Sequence, residues 1–177
     1  MKLIAIVYHS GFGHTEFLAK KIKSGIEKSN VILYKVSDFF DNQDKLQELS
    51  KADMIVFGSP TYMGSVSADF KKFMDMTSKV WYTQGWKDKF ASGFTCSGSL
   101  NGDKANTMNT LFTFSSQHSM IWISQGIFSD GTLNPLSSWA GLYAQAANTE
   151  PEKSFDDNNI KTAVAFGKRL DSFINKF

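Results

Sequence analysis

Short runs of strand-forming residues alternate with helical patterns along this 177-residue chain, and this alternation limits the possible folds more than any other feature. Five apolar or β-branched runs have the length of strands, at residues 3–7, 31–36, 54–58, 90–96 and 120–124. Strands that alternate with helices are joined by right-handed crossovers, which place helices on both faces of a parallel sheet. The sequence therefore predicts a three-layer α/β/α sandwich with a five-stranded parallel sheet, in a single domain that spans residues 1–177.

Apolar residues at helical spacing mark the predicted helices. The stripes are formed by Leu18, Ile22 and Ile26; by Phe70, Phe73, Met74 and Thr77; by Met108, Leu111 and Phe112; and by Ile160, Val164, Phe166, Leu170, Phe173 and Ile174. Run 3–7 is apolar throughout, which is typical of a central strand, whereas run 31–36 alternates with polar residues as an edge strand does. This contrast predicts the strand order 2-1-3-4-5, in which ligands bind beyond the carboxyl ends of the strands.

The turn after the first strand has the composition of an anion-binding loop. Gly11 and Gly13 allow a tight turn with converging N–H groups, Ser10 and Thr15 add hydroxyls, and the helix that begins near Gly13 contributes its positive end. No Gly-Lys-Ser/Thr follows, and Glu16 stands where a dinucleotide motif has its third glycine, so a monophosphate fits better than a pyrophosphate. The alternative is an ordinary glycine-containing turn with a hydroxyl cap.

Composition argues against several classes of protein. Lysine and arginine total 19 against 17 acidic residues and are interspersed, which disfavours nucleic acid as a partner. Cys96 is the single cysteine, and His9, His14 and His118 have no close carboxylate pairs, so we expect neither a disulfide nor a metal site. No apolar run approaches the length of about 20 residues that spans a membrane, and no signal-peptide pattern opens the chain. We therefore expect a cytoplasmic protein with no membrane partner.

Two further loops follow strands at the same predicted edge of the sheet. Residues 58–65 contain Tyr62 and Met63 behind the rigid Pro60, and these two side chains would either flank a flat ring or pack onto the protein. Residues 96–103 are mostly small, which allows a planar ligand to approach the backbone, or forms a flexible loop before a helix. His118 precedes the fifth strand, where a lone histidine is either catalytic or structural.

These segments together resemble a known family, the flavodoxin-like NAD(P)H:quinone oxidoreductases of the tryptophan-repressor-binding-protein (WrbA) type. The likeness covers most of the chain and is carried by residues 10–15, 60–81, 89–108 and 117–120. The second of these segments is the most specific, with Pro60, Gly64, Phe73 and Trp81 in register. The resemblance implies a flavodoxin-like fold, FMN as the cofactor and a homo-oligomer, either a dimer or a tetramer.

The resemblance also assigns roles to individual residues. The first loop would hold the FMN phosphate, Tyr62 and its neighbours would border the isoalloxazine, and the loop after strand 4 would hold the pyrimidine side of the flavin. Phe12 and Trp81 would border the substrate, and His118 would be the catalytic residue. The implied cofactor-binding residues are Ser10, Gly11, Phe12, Gly13, His14, Thr15, Pro60, Thr61, Tyr62, Met63, Gly64, Cys96, Ser97, Gly98, Ser99, Leu100, Asn101, Gly102 and His118.

The implied activity is two-electron reduction of a quinone by NADH or NADPH. We expect a ping-pong reaction in which a hydride passes through flavin N5 and one cavity serves both substrates, while His118 orients the quinone or donates a proton. The alternatives are a flavodoxin-type carrier that passes electrons between protein partners, and an FMN-binding scaffold with little turnover. A formal charge of +2 disfavours the carrier, because dedicated flavodoxins tend to be acidic.

Three positions depart from the family pattern. Leu100 and Asn101 stand where members usually have glycine, which would narrow the rim of the flavin site. Tyr62 stands where a typical member has an arginine, so the nucleotide preference does not carry over. The aromatic segment 81–86 is a candidate contact between subunits.

Overall fold

The fold is built on one sheet of seven strands with helices on both faces. The computed structural model describes all 177 residues apart from the side chain of Gln43. The strands are β1 (Leu3–Tyr8), β2 (Asn30–Lys35), β3 (Met54–Tyr62), β4 (Ser65–Val66), β5 (Phe90–Ser97), β6 (Ile121–Trp122) and β7 (Leu142–Gln145). The helices are α1 (His14–Ser24), α2 (Leu46–Leu49), α3 (Ala68–Met76), α4 (Ser78–Tyr82), α5 (Lys104–Gln117) and α6 (Asp157–Ile174). The predicted layered α/β architecture with a parallel sheet is confirmed.

The predicted strand count of five is wrong: the sheet has seven strands, so its path, numbered along the chain, reads 2-1-3-5-6 in place of 2-1-3-4-5, although the five predicted runs keep their predicted neighbours. The hydrogen-bonded path is β2-β1-β3-β5-β6, with β4 paired antiparallel to β3 and β7 paired parallel to β5. One difference arises because β3 runs on to Tyr62 and turns back through the two-residue strand β4. The predicted position of β2 at the edge of the sheet is confirmed.

The other difference arises because the last predicted strand is divided in two. Only Ile121 and Trp122 of the predicted run 120–124 pair with β5, opposite Phe90 and Ala91. The chain then leaves the sheet for residues 123–141, and β7 pairs with the carboxyl-terminal half of β5. The loop is held in place by Asn134, whose side-chain amide donates to the carbonyls of Ile127 (3.0 Å) and Ser138 (2.9 Å).

Alternate residues of the central strands face two separate hydrophobic layers. Ile4 and Ile6 of β1 pack with α1 and α6, whereas Ala5 and Val7 face α3 and α5. Most residues of the predicted helical stripes are buried in these layers. The half-buried ones are Met74, Ile160, Val164 and Phe173, together with Ile26 beyond the end of α1, and Phe112 is exposed. The central strands are therefore covered on both faces, which explains their continuous apolar sequence.

Helices α1 and α6 pack so closely that their backbones are in contact at two glycines. A Cβ atom added at Gly167 of α6 would lie 2.0 Å from the carbonyl oxygen of Ile22, and one added at Gly25 would lie 2.0 Å from that of Val164. Only glycine fits at either position, so this contact fixes the helix pair on one face of the sheet. Within the described residues, no helix combines the length and the hydrophobicity needed to cross a membrane.

Candidate functional site

Four loops meet around a cavity of about 210 Å³ at the carboxyl edge of the sheet, which we call the edge cavity. The first loop and the start of α1 contribute Ser10, Gly11, Phe12, His14 and Thr15, the end of β3 contributes Pro60 and Tyr62, and the end of β5 with the residue after it contributes Cys96, Ser97 and Gly98. The structure therefore brings together the three loops that the sequence singled out. No aspartate, glutamate, lysine or arginine is among the described residues that line the cavity.

The first loop leads directly into a helix, as predicted. Gly13 is the N-cap of α1 and has φ 88°, and a Cβ atom there would lie 2.7 Å from Cγ of Pro151. The side chain of Gly13 cannot cap the helix, and Ser10 does so instead, since its Oγ accepts a hydrogen bond from the amide of Glu16 (3.1 Å). The remaining amides of the first turn of α1 have no side-chain cap, which leaves a helix end suited to an anion.

Glu16 is the one acidic residue in the first turn of α1, and two lysines neutralise it. Its carboxylate oxygens lie 2.9 Å from Nζ of Lys20 and 2.9 Å from Nζ of Lys35. Hydrogen bonds from Lys35 and Lys20 lower the pKa of this carboxyl, so it is ionised and paired at neutral pH. A nearby carboxylate would repel a bound anion, and this pairing reduces that repulsion.

The predicted residues at the end of β3 and in the turn after it have different surroundings: Pro60 and Tyr62 line the cavity, whereas the others do not. The hydroxyl of Thr61 is buried and lies 2.8 Å from the hydroxyls of both Thr95 and Thr107, so its side chain is held inside the protein. Met63 is fully exposed in the β3–β4 turn, where Met63 and Gly64 have positive φ angles. Neither Thr61, Met63 nor Gly64 lines the edge cavity.

Tyr62 lies against the first loop. Its ring makes an edge contact with the ring of Phe12, with 6.3 Å between the centroids. A Cβ atom added at Gly11 would lie 2.8 Å from Oη of Tyr62, so the glycine permits this approach. Burial raises the pKa of the Tyr62 phenol, which is therefore neutral at physiological pH.

The end of β5 lines the edge cavity, and a loop of small residues follows it. Cys96 is buried, with its Sγ 3.6 Å from Oγ1 of Thr15, and burial raises the pKa of its thiol to about 11. Its thiol is therefore protonated at neutral pH and contributes no charge to the cavity. Further along, Ser99, Leu100, Asn101 and Gly102 lie outside the cavity lining.

Sequence reasoning missed two parts of this site. Lys104 is buried, and its Nζ donates hydrogen bonds to the carbonyls of Ser99 (2.7 Å), Leu100 (2.9 Å) and Asn101 (3.1 Å). A fourth loop, which follows β7, also lines the edge cavity, through Ala146, Ala147 and Asn148. The sequence signal for this loop was the short run 142–145, which forms β7. The carboxyl end of β7 lies at the same edge of the sheet as those of the other parallel strands.

Trp81 and His118 lie together in a different place. They line a second cavity of about 480 Å³ between α3–α4 and α5, which we call the helix cavity. It has no lining residue in common with the edge cavity. Lys104 and His118 stand at opposite ends of α5, a helix of 14 residues and therefore about 20 Å long. The structure thus separates His118 from the three loops within one chain.

His118 is a neutral, buried histidine. Its Nε2 lies 2.9 Å from Oγ1 of Thr77, and that hydroxyl donates its own proton to the carbonyl of Met74 (2.7 Å). Nε2 must therefore carry the ring proton, and Nδ1 is an acceptor with no hydrogen-bond partner among the described residues. The ring packs on Trp86, 4.4 Å between centroids, and burial lowers its pKa to about 4.

Comparison with known proteins finds a flavin-reductase family, a flavodoxin and a quinone oxidoreductase among the similar proteins. A family model described as NADPH-dependent FMN reductase matches residues 13–134. The chain is 34% identical over 182 residues to Flavodoxin FldP of Pseudomonas aeruginosa (strain UCBPP-PA14), covering 96% of this chain and 95% of that protein. It is 34% identical over 141 residues to Quinone-oxidoreductase QR2 of Triphysaria versicolor, covering 70% of this chain and 69% of that protein.

A solved structure has the same fold over nearly its whole length. It is described as a flavodoxin, a WrbA-like protein from Agrobacterium tumefaciens, and matches with a TM-score of 0.80 and 35% identity, covering 99% of each chain. The predicted flavodoxin-like fold and the resemblance to the WrbA type are therefore confirmed. One relative is named a flavodoxin and another a quinone oxidoreductase, which are the two leading functions that the sequence suggested.

Proposed function

Because the chain belongs to the NADPH-dependent FMN reductase family, we propose that it is an FMN-dependent NAD(P)H:quinone oxidoreductase that reduces quinones by two electrons. The chain is an oxidoreductase, and FMN is the cofactor that its family implies. The observation that carries the proposal is the edge cavity, where a helix start with unpaired amides meets a neutral slot walled by small and aromatic residues. A cytoplasmic location stays a prediction.

The first loop fits the phosphate end of FMN. Gly13 has a left-handed backbone that a Cβ atom would disrupt, and the amides of the first turn of α1 provide donors. The hydroxyls of Ser10 and Thr15 lie in the same lining. Because no described lysine or arginine lines the cavity, we propose that these dipoles and hydroxyls hold the phosphate.

The other loops fit a flat, uncharged ring. Pro60 and Tyr62 form one wall and residues 96–98 another, and neither wall presents a charged side chain. Bound FMN supplies the redox chemistry, taking a hydride from reduced nicotinamide and passing two electrons to a quinone. The neutral phenol of Tyr62 and the protonated thiol of Cys96 add no negative charge that would oppose reduction of the ring.

Phe12 offers a surface for the substrates. Its side chain is 76% exposed and lines both the edge cavity and an adjoining hollow of about 310 Å³ beside Pro151. An exposed aromatic ring between a cofactor cavity and the solvent suits stacking with a nicotinamide or a quinone. We propose that both substrates use this entrance in turn, which gives ping-pong kinetics.

The roles predicted for Trp81 and His118 then require a second copy of the chain. Both residues line the helix cavity, which has no residue in common with the edge cavity of the same chain. We propose that the helix cavity of one copy faces the edge cavity of another in a homo-oligomer, so that each substrate site is completed by the neighbour. In that arrangement His118 would line the substrate site from the neighbouring copy, with its ring held by the contact between Nε2 and the hydroxyl of Thr77.

A flavodoxin-type electron carrier is the second candidate. It is favoured by the similarity to Flavodoxin FldP, which extends over 96% of this chain. A carrier would bind FMN in the same cavity but would have no need of Phe12 or the helix cavity for small-molecule turnover. The two candidates therefore make different predictions for the same assay.

The decisive assay measures oxidation of NADH and NADPH with benzoquinone as the acceptor. Flavin-free protein, the same protein after addition of FMN, and free FMN alone are compared. We expect turnover that requires both protein and FMN, with parallel double-reciprocal plots because the reaction is ping-pong. If FMN binds but no turnover appears with either nucleotide, the carrier replaces the enzyme.

A further inference from the structure

Lys104 is a buried lysine in an unusual electrostatic position. It is the first residue of α5, and only 1% of its surface is exposed. The first turn of α5 contains no acidic residue, and Lys104 forms no ion pair with any described carboxylate. A positive charge at a helix N-terminus opposes the helix dipole, so the location is unfavourable for a lysine unless other groups compensate.

The compensation comes from the loop after β5. Three consecutive carbonyls, those of Ser99, Leu100 and Asn101, accept hydrogen bonds from Nζ at 2.7, 2.9 and 3.1 Å. An ammonium group has three protons, so every donor of Lys104 is used on this one loop. The loop continues from Cys96, Ser97 and Gly98, which line the edge cavity. Lys104 therefore determines the shape of the loop directly behind that cavity.

We propose that Lys104 is a positioning residue for the flavin, which holds the loop after β5 in its binding shape and favours the reduced cofactor through its buried positive charge. This inference rests on the proposed function and deepens it. Carbonyls and a helix end bring no formal negative charge to the ammonium, so its field extends to the cavity wall at Cys96, whose thiol is neutral. Reduction makes the flavin more negative, and a buried positive charge nearby stabilises that form more than the oxidised one.

A purely structural role predicts a different residue here. Carbonyls at a loop can be satisfied by neutral donors, and acidic or neutral side chains are preferred in the first turn of a helix. Lys104 instead gives up its hydration and opposes the dipole of α5, a cost that its three hydrogen bonds to carbonyls offset and that a negative group close by would offset further. The reduced flavin is such a group.

The test compares Lys104→Gln with wild type in FMN affinity and in flavin midpoint potential. Glutamine keeps hydrogen-bond donors for the loop but removes the charge. We expect oxidised FMN to bind several-fold more weakly and reduced FMN to lose about ten times more affinity than that. A tenfold difference between the two forms corresponds to a potential about 30 mV more negative for a two-electron couple.

Two further variants act as controls. Lys161→Gln removes an exposed lysine from α6 and should leave both quantities unchanged. Lys104→Arg keeps the charge with a different shape, so we expect a weaker FMN complex with a potential close to wild type. If Lys104→Gln does not fold, as judged by its thermal melt, the arginine variant decides. Arginine keeps the positive charge, so a midpoint potential about 30 mV more negative than that of wild type would overturn the inference.

The outcomes separate this inference from the proposed function. Equal loss of affinity for oxidised and reduced FMN in Lys104→Gln, with an unchanged potential, would show that the lysine only supports the loop. In that case wild-type turnover with FMN is unaffected and the proposed function stands. Failure of the wild-type protein to bind FMN would overturn both.

Discussion

The edge cavity and the helix cavity are built in opposite ways. The edge cavity is made mainly of backbone and small side chains at the ends of parallel strands, and one chain supplies all the residues that would hold the cofactor. The helix cavity is made of side chains on α3, α4 and α5, including an exposed Trp81 and a buried His118 with one unpaired nitrogen. The first is suited to holding a cofactor, whereas the second presents groups that have no ligand in their own chain.

This difference indicates how one short chain can provide a redox site. The sheet edge supplies fixed dipoles for a phosphate and a neutral slot for a ring, and these features follow from topology alone. The aromatic and titratable groups for a substrate, Trp81 and His118, line the helix cavity, and His118 follows the carboxyl-terminal end of α5. The proposed oligomer brings the two together.

The largest effect is expected for Gly13→Ala in the edge cavity. The added Cβ would meet Pro151 at 2.7 Å and would strain a backbone with φ +88°, which displaces the start of α1. We expect FMN affinity to fall by about 100-fold, equivalent to about 2.7 kcal/mol. Fluorescence titration of flavin-free protein with FMN measures it.

Gly131→Ala is the matched control for this variant. Gly131 has nearly the same φ of +86°, but no atom lies within 4 Å of the added Cβ, and the residue is outside both cavities. Its FMN affinity should equal that of wild type. Equal losses in both variants would mean that backbone strain in general, and not the cradle at Gly13, weakens binding.

The second prediction concerns His118→Ala in the helix cavity. We expect FMN affinity to stay within about twofold of wild type, because the residue does not line the edge cavity. The kcat/KM for benzoquinone should fall by about 50-fold, a loss of about 2.3 kcal/mol in transition-state stabilisation. Steady-state kinetics of the FMN-loaded enzyme measures it, and unchanged turnover would remove His118 from the reaction.

Acid should destabilise the protein through the same histidine. Burial lowers the pKa of His118 from 6.5 to about 4, so the unfolded chain binds more protons than the native chain between these values. Stability is therefore lost as the pH falls below 6.5, and the loss from this group between pH 7 and pH 5 is about 2 kcal/mol.

Urea unfolding at both pH values checks this prediction. His118→Asn keeps a polar side chain but cannot titrate, so its loss of stability over this range should be smaller than that of wild type by about 2 kcal/mol. Acidic residues contribute equally to both proteins and cancel in the comparison. The same pH dependence in both would contradict a buried neutral imidazole.

The smallest effect is expected for Phe12→Ala at the mouth of the edge cavity. The ring is largely exposed and contacts Tyr62 only by its edge, so its removal should change neither folding nor FMN affinity appreciably. We expect the KM for NADH or NADPH to rise about fivefold, a loss of about 1 kcal/mol of stacking. An unchanged KM for both nucleotides would exclude Phe12 as their platform.

Local signals made the first loop predictable from sequence. The apolar run of β1, the two glycines and the hydroxyls of Ser10 and Thr15 are adjacent in the chain, and their geometry depends little on distant residues. The loops after β3 and β5 were recognised because strands of a parallel sheet end at one edge. The finer arrangement of these loops was not predicted from the sequence, because the inward position of Thr61 depends on its contacts with Thr95 and Thr107.

Features that depend on distant parts of the chain were missed. Residues 142–145 are too few to stand out as a strand, and β7 exists because β5 offers it an unpaired edge beyond β6. Lys104 is one lysine among many in the sequence, and its burial follows from the fold of the loop before it. The separation of His118 from the loops was also missed, although the topology contains it: a helix that begins at the carboxyl edge of the sheet ends at the opposite edge.

The central claim is that the helix cavity of one copy completes the edge cavity of another, and co-expression of two inactive variants tests it most directly. Gly13→Ala lacks the cofactor but keeps His118, whereas His118→Ala keeps the cofactor, and differently tagged chains allow the mixed oligomer to be purified. In randomly mixed dimers, about half of the dimers contain one chain of each variant, and each mixed dimer has one complete site out of two. Before the mixed dimers are purified, turnover per chain should therefore recover to about a quarter of the wild-type value. Turnover no higher than the average of the two separate variants would contradict the claim.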